Sequence, residues 1–393
     1  MKTAGIICEY NPLHLGHAGH IEKTRQALDG DCAVICVMSG NFVQRGDFAI
    51  FNKYARAKAA LQCGADLVVE LPLPYALSSA EGFANAGVYI LDRLGVCDYI
   101  SFGSESGDIG TLSEAAEAIA SKKADILTKE WLDKGLSYAA AQQRAADAVL
   151  GARSEVFKYP NNLLGIEYLK AIKAYESPMK PMTVKRSSDE HDGETGLSSF
   201  VLRKALMRGD KPWGVMPDAA VMVYMEEIAA GRGPVFINQC ELAILSRLRS
   251  AKNMSELPGA AEGLEHRLMR YAETEPTFEG ILEKVKTKRY TMSRLRRMLL
   301  CSCLGITAAD TQKPPPYIKV MAVNHTGMKV LANARKKTRL PIITKPASVK
   351  SLSGRASDLF NKEAAATDFY VLSYKGENNR YGGQEWRQTP WRE

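Results

Sequence analysis

The sequence predicts an α/β fold with a parallel sheet, followed by a mostly α-helical second part. Short apolar runs (Ala4–Cys8, Ala33–Met38, Leu67–Leu71 and Asp98–Phe102) alternate with stretches of helical period, the pattern of a parallel sheet covered on both faces. Polar or Gly/Pro-rich loops follow each run, where such sheets bind ligands. Beyond Pro217 helical periods dominate. A chain of 393 residues is expected to form two or three domains, and we place the boundary between residues 1–217 and 218–393.

Composition narrows the function classes. The chain is 46% apolar and 24% charged, ordinary for a globular protein. No window approaches the roughly 20 uninterrupted apolar residues of a membrane helix. Met1–Gly5 runs straight into a strand without a signal-peptide pattern. The eight cysteines lie mostly inside apolar runs, where Cys behaves as a small hydrophobe, and they suggest no disulfide framework. A reduced cytoplasmic protein without a membrane partner is expected.

In chain order, helices are expected at Gly16–Leu28, Tyr54–Cys63 and Ala80–Leu94, between the four apolar runs. Four more follow at Thr111–Lys122, Ala124–Lys134, Tyr138–Leu150 and Asn161–Tyr175, with Asn161 or Asn162 as an N-cap after Pro160. A fifth apolar run, Met182–Lys185, leads to Arg186, the polar loop Ser187–Gly196 and a helix that opens on serine, Leu197–Leu206. The second part reads as helices at Asp218–Ala230, Asn238–Ser250, Ala260–Ala272, Thr277–Lys286 and Met292–Leu304, the last ending on Gly305. A small strand-helix-strand unit (Tyr317–Val323, Met328–Arg335, Leu340–Thr344), a helix (Ala356–Ala366) and a strand (Asp368–Tyr374) follow. Lys375–Glu393 reads as a frayed polar tail.

The loop after the first run, Asn11-Pro12-Leu13-His14-Leu15-Gly16-His17, ends where the first helix begins. Unpaired amides and the helix dipole make such an N-terminus a site for anionic phosphate, and Gly16 allows close backbone approach. Coordination of a metal by His14, His17 and His20 is the rival reading, but spacing by three turns the side chains progressively round the helix and no Cys or carboxylate partner is local. The chain contains neither Gly-x-x-x-x-Gly-Lys-Ser/Thr nor Gly-x-Gly-x-x-Gly, so those phosphate cradles are excluded.

Asn-Pro-x-His-x-Gly-His resembles the motif of the nucleotidyltransferase superfamily, in which the two histidines bind the triphosphate and stabilise charge as the α-phosphate is attacked. His14 and His17 match it residue for residue. A second superfamily signature resembles Ser198-Ser199-Phe200-Val201-Leu202-Arg203, with Phe200 in place of the usual Thr. Further stretches narrow the resemblance: Met38–Asp47, Arg56-Ala57, Gly64–Pro72, Phe102–Glu105, Pro160–Tyr168, Lys185-Arg186, Lys288–Arg297 and Leu340–Lys345 are similar, in order, to the tRNA(Met) cytidine acetate ligase family.

That resemblance implies a Rossmann-like nucleotidyltransferase domain that activates acetate with ATP to acetyl-adenylate. The acetyl group then passes to the exocyclic amine of the wobble cytidine of elongator tRNA(Met). It implies an ATP site made of Ile7, Cys8, Glu9, Tyr10, Asn11, Pro12, Leu13, His14, Leu15, Gly16, His17, Ala18, Gly19 and His20, completed by Gly103, Asn161 or Asn162, and Arg186, with Ser198 and Arg203 from the second signature. Mg2+ is expected with ATP, and no carboxylate is assigned as its ligand.

Residues 284–297 hold seven Lys/Arg and no acid, a same-sign cluster that calls for a counter-charge such as RNA phosphate. Lys286, Lys288, Arg289, Arg294, Arg296 and Arg297 are therefore expected to bind tRNA. In Ser39–Gly46, Phe42 is either part of a plain connector or a stacking surface for the target base. Two rival functions remain at this stage. A small-molecule nucleotidyltransferase gives the basic second part no task, and a non-catalytic RNA-binding protein has no need of intact His14, Gly16 and His17.

Overall fold

The computed structural model describes residues 1–186, 198–261 and 263–393; the loop expected at Ser187–Gly196, and Leu197, lie outside the described residues. The strands are β1 (Lys2–Cys8), β2 (Cys32–Ser39), β3 (Phe42–Val43), β4 (Asp47–Phe48), β5 (Leu67–Leu71), β6 (Tyr99–Ser104), β7 (Lys180–Lys185), β8 (Ile318–Val323), β9 (Ile342–Ile343) and β10 (Trp391–Arg392). The main sheet runs β10-β8-β5-β2-β1-β6-β7, with β9 alongside β8. β5, β2, β1, β6 and β7 are mutually parallel, β1 and β2 pairing from Lys2↔Cys32 to Cys8↔Met38. The four apolar runs are β1, β2, β5 and β6, continuous because both faces are covered.

Alternation along these strands separates two cores. Ile7, Ile35, Val37, Leu67 and Val69 face helices Ala80–Leu94, Ile109–Ile119 and Pro160–Ala174. Ile6, Val34, Cys36, Met38 and Val68 face helices Lys53–Gln62, Ser199–Arg208 and Asp218–Ala229. The second core thus draws on Leu202 and Leu206 before Pro217 and on Ala220, Val223 and Tyr224 after it. A third core belongs to helices Glu241–Ser250, Leu264–Thr274, Phe278–Val285 and Met292–Leu304, hereafter the bundle. Gly305 ends the last of these in the left-handed conformation, as expected.

The strand-helix-strand unit forms as expected, from β8, helix His325–Lys337 and β9, and β8 joins the main sheet antiparallel to β5. Two expectations are corrected. Asp368–Tyr374 is not a strand; helix Gly354–Tyr370 runs through it into a 3-10 turn, because Phe369, Tyr370, Val371 and Tyr374 bury into the bundle core at helical spacing. The last 19 residues are not frayed, because β10 pairs with β8 and Glu385 is wholly buried.

Glu385 enters a buried charge network. Lys53 Nζ lies 2.6 Å from Glu70, 3.0 Å from Glu385 and 3.5 Å from Glu363. Lys319 Nζ lies 2.9 Å from Glu70 and also contacts Glu385. Tyr54 and Thr367 donate to the two oxygens of Glu385 at 3.0 and 2.9 Å. Burial lowers the Lys53 ammonium pKa, but Glu70 and Glu363 outweigh it and hold the pKa above its usual value. At Lys319 burial wins over Glu70 and pulls it down to about 8. Three carboxylates face two ammonium groups, and Glu363, pushed up to about 7 by burial and then by Glu70, absorbs the excess charge.

Candidate active site

The strand order reverses beside β1, between β2 and β6. This is the switch point at which open α/β sheets bind ligands. The chain leaves β1 through Glu9 and through Tyr10, whose φ of 45° lies in the left-handed region disfavoured for a residue with a side chain. Tyr10 is buried with its hydroxyl 3.6 Å from the Cys36 sulfur. Asn11 accepts from the Ile50 amide at 2.7 Å, and the Leu13 amide donates to the Tyr224 hydroxyl at 3.1 Å. Ile7, Tyr10, Asn11, Pro12 and Leu13 are thus buried and shape the loop from inside; Cys8 and Glu9 are half-buried.

His14 caps helix Leu15–Gln26. Its Nδ1 accepts from the Gly16 amide at 3.1 Å, while its own amide approaches His17 Nδ1 at 3.4 Å. The rings lie 3.8 Å apart. Since both Nδ1 atoms accept, the neutral tautomer carries its proton on Nε2, so each imidazole offers one N–H donor. Burial and then Arg186 lower His14 to about 4. Burial, His14 and Arg186 hold His17 well below its usual value. His20 is lowered to about 4 by burial, Arg186 and Lys23. Its Nε2 meets the Ser101 hydroxyl at 3.0 Å, which meets the Thr24 hydroxyl at 2.7 Å; Thr24 in turn donates to the His20 carbonyl at 2.8 Å. The Thr24 proton is committed, so Ser101 donates to Thr24 and His20 donates from Nε2.

A cavity of about 230 Å³ opens over this helix, lined by Leu15, Gly16, His17, Gly19, His20 and Lys23, by Gly103 near the end of β6, and by Val184, Lys185 and Arg186 at the end of β7. Three cationic side chains and no carboxylate line it, which suits an anion. Gly103 makes room for Arg186: a Cβ there would lie 3.2 Å from the Arg186 Cγ and Cδ. A larger cavity of about 530 Å³ lies between helices Lys53–Gln62 and Asp218–Ala229 and the C-terminal segment, and none of the expected ATP-site residues line it.

Of the expected site residues, Leu15, Gly16, His17, Gly19, His20, Gly103 and Arg186 meet at the smaller cavity, with His14 buried behind His17 and Ala18 on the same helix. Ser198 caps helix Ser199–Arg208, accepting from the Val201 amide at 3.4 Å. That helix docks on the loop through Arg203, which donates to the Asn11 carbonyl at 2.7 Å. Asn161 and Asn162 are not N-caps. Pro160 holds the first helical position, and Glu105 accepts from their amides at 3.3 and 2.9 Å. Asn162 is buried and accepts from the Ser106 amide at 3.0 Å. Phe42 is no open stacking surface, because it is buried 5.0 Å from Phe48. No group of three His, Cys, Asp or Glu placed to hold a metal occurs among the described residues.

Sequence reasoning missed Lys23, Lys185, Ser101 and Thr24. Lys23 had a signal: Gly16, Gly19, His20 and Lys23 recur at the spacing of one helix face. Ser101 had none, since only the pairing of β6 with β1 brings it under that helix.

A family model described as HIGH Nucleotidyl Transferase matches residues 1–385. A protein of Acetivibrio thermocellus named tRNA(Met) cytidine acetate ligase is 38% identical, with 99% of each chain covered. One of the same name from Caldanaerobacter subterraneus subsp. tengcongensis is 39% identical over 95% of this chain and 96% of its own. The chain belongs to the tRNA(Met) cytidine acetate ligase family. The crystal structure of Thermotoga maritima TmcAL bound with alpha-thio ATP superposes with a TM-score of 0.91 at 32% identity, covering all of both chains.

In this member of the tRNA(Met) cytidine acetate ligase family, the depressed histidines tie stability to pH. Unfolded histidines take up protons near pH 6.5, whereas these folded ones stay neutral to about pH 4. Stability is therefore full above about pH 6.5 and falls as pH drops toward 4, by roughly 3 kcal/mol for each histidine so shifted. Denaturant melts from pH 7 to 4.5 should show a shallower decline for His20→Asn than for the unchanged chain. Parallel declines would show that His20 titrates normally.

Proposed function

We propose that this chain activates acetate with ATP to acetyl-adenylate and then acetylates the exocyclic amine of the wobble cytidine of elongator tRNA(Met), a reading in keeping with relatives named tRNA(Met) cytidine acetate ligase. The observation that carries this is the pair of neutral imidazoles, His14 and His17, with Nε2–H donors at the head of a helix beside Lys23, Lys185 and Arg186. Adenylation asks the protein to hold the triphosphate in line and to stabilise charge that develops as pyrophosphate leaves. A carboxylate oxygen of acetate bonds to the α-phosphorus and the bond to pyrophosphate breaks. The amine nitrogen then attacks the acetyl carbonyl carbon and gives up a proton to solvent, and AMP departs. Neutral N–H donors suit this role, since they are not drained by a counter-ion in the resting site. The helix amides from Gly16 onward add further donors. Because the cavity presents cations and imidazoles instead of carboxylates, magnesium enters as the companion of the ATP substrate.

Lys286, Lys288, Arg289, Arg294 and Arg296 are proposed to meet tRNA phosphate on the bundle, which makes the second part of the chain the RNA-binding part. Lys286 and Lys288 are exposed, Arg294 lies half-exposed against the Gly259 carbonyl at 2.7 Å, and Arg296 pairs with Glu279. A tRNA substrate implies work in the cytoplasm, and no helix among the described residues is long and apolar enough to cross a membrane.

The test is incubation with ATP, labelled acetate and tRNA, omitting each in turn. Label in elongator tRNA(Met) with AMP release is expected. AMP transfer to a small molecule instead, or RNA binding with no turnover, would replace the ligase reading by one of its two rivals.

A further inference from the structure

The hairpin β3–β4 continues β2 in sequence, yet its side chains pack with the bundle. Phe42 and Phe48 are buried in the bundle core, and both contact Tyr370. Its turn is tied in two directions. Toward the bundle, Arg297 Nη1 donates to the Gln44 carbonyl at 3.0 Å. Gly46, with φ of 76°, sits so close to the helix that a Cβ would lie 2.6 Å from the Arg297 backbone nitrogen. Toward the sheet, the Gln44 amide donates to the Glu9 carboxylate at 2.7 Å. The Glu9 carbonyl accepts from Arg56, which is wholly buried and also donates to the carbonyls of Phe51, Ser39 and Gly40. Glu9 begins the loop that carries His14 and His17. One continuous set of contacts therefore joins the basic helix to the phosphate loop.

We propose that Arg297 is a positioning residue for acetyl transfer: through Gln44 and Glu9 it fixes the bundle, and the RNA on it, in register with the adenylate at the His14–His17 loop. This rests on the ligase reading above. It gives Arg297 a different task from the phosphate contact expected from its place in the basic cluster, because its guanidinium is turned to the hairpin. Lys286, which donates to the Tyr290 carbonyl, and Lys288 both lie on the exposed surface, where RNA can reach them. Transfer demands that the attacking nitrogen and the acyl carbon approach to about 3–3.5 Å, and a misplacement of about 1 Å costs on the order of 100-fold. Adenylation uses no RNA and depends far less on this register.

Three readouts separate the roles: acetate-dependent ATP–pyrophosphate exchange without tRNA, single-turnover acetyl transfer at saturating tRNA, and tRNA affinity across a salt series. Arg297→Gln is expected to lower transfer about ten-fold more than exchange, with tRNA affinity and its salt slope close to those of the unchanged chain. Arg297→Lys keeps one donor for the Gln44 carbonyl and is expected to recover much of the loss, which also serves if the Gln variant folds poorly. Weakened tRNA binding with a flatter salt slope, and transfer restored by excess tRNA, would make Arg297 a phosphate contact and overturn the proposal. Equal losses in exchange and transfer would overturn it too. An unchanged chain that exchanges pyrophosphate but acetylates no tRNA overturns the ligase reading itself, and the proposal with it.

Discussion

His17→Ala is expected to slow acetate-dependent ATP–pyrophosphate exchange by about 10²–10³-fold, the usual loss when one donor to developing charge is removed. The size follows from how this imidazole is held. Its Nδ1 is occupied by the His14 amide and its ring lies against those of His14 and Tyr10, at 3.8 and 5.0 Å. Orientation and tautomer are therefore set before any substrate arrives, and no reorganisation is needed when charge develops. Truncation also releases the His14 amide from its partner, so part of the loss reflects a looser helix cap. His17→Asn separates the two effects, because its Oδ1 can still accept from the His14 amide while no donor takes the place of Nε2. Binding of tRNA, read by filter retention, should change little in either variant. Exchange within about five-fold of the unchanged chain would remove His17 from the chemistry.

Glu385→Ala is expected to destabilise the fold by about 3–5 kcal/mol, the range for breaking a buried ion pair from one side. For a chain of this size that lowers the melting temperature on the order of 10 °C. Glu385 lies between Lys53 and Lys319, and its removal leaves two ammonium groups, both nearly inaccessible, with only Glu70 and Glu363, whose pKa burial pushes up to about 7. The hydroxyls of Tyr54 and Thr367 lose their acceptor as well. Glu385→Gln keeps an acceptor for one of them and should lose less. The same substitutions test the placement of the C-terminal segment, since Glu385 is its anchor and β10 its end. A melting temperature within 2 °C of the unchanged chain would mean that the segment is not held there.

The prospects for reading this molecule from its sequence divide along a physical line. The phosphate loop was legible because an apolar run, Asn11-Pro12 and a glycine between two histidines are local signals, and local signals fix a strand end and a helix start. The parallel strands were legible for the same reason: β1, β2, β5 and β6 are buried on both faces, so their sequences are continuous apolar runs. Arg186 and Gly103 were found through resemblance, with no local pattern to mark either. The segment Asp368–Tyr374 failed because aromatic and β-branched residues suit a strand and a buried helix end equally, and the bundle core chose between them.

By itself, then, the sequence determined the α/β class, the loop after β1 and the concentration of positive charge near residue 290. Only the tertiary structure decided where those features point. Pairing of β8 with β5 carried the second half of the chain onto the first sheet. The bond to the Gln44 carbonyl turns Arg297 to the hairpin, and burial makes Phe42 core instead of a stacking platform. Burial and Arg186 together made three histidines neutral donors. Desolvation and contact across long sequence separations set these outcomes, and neither is written in any local stretch of residues.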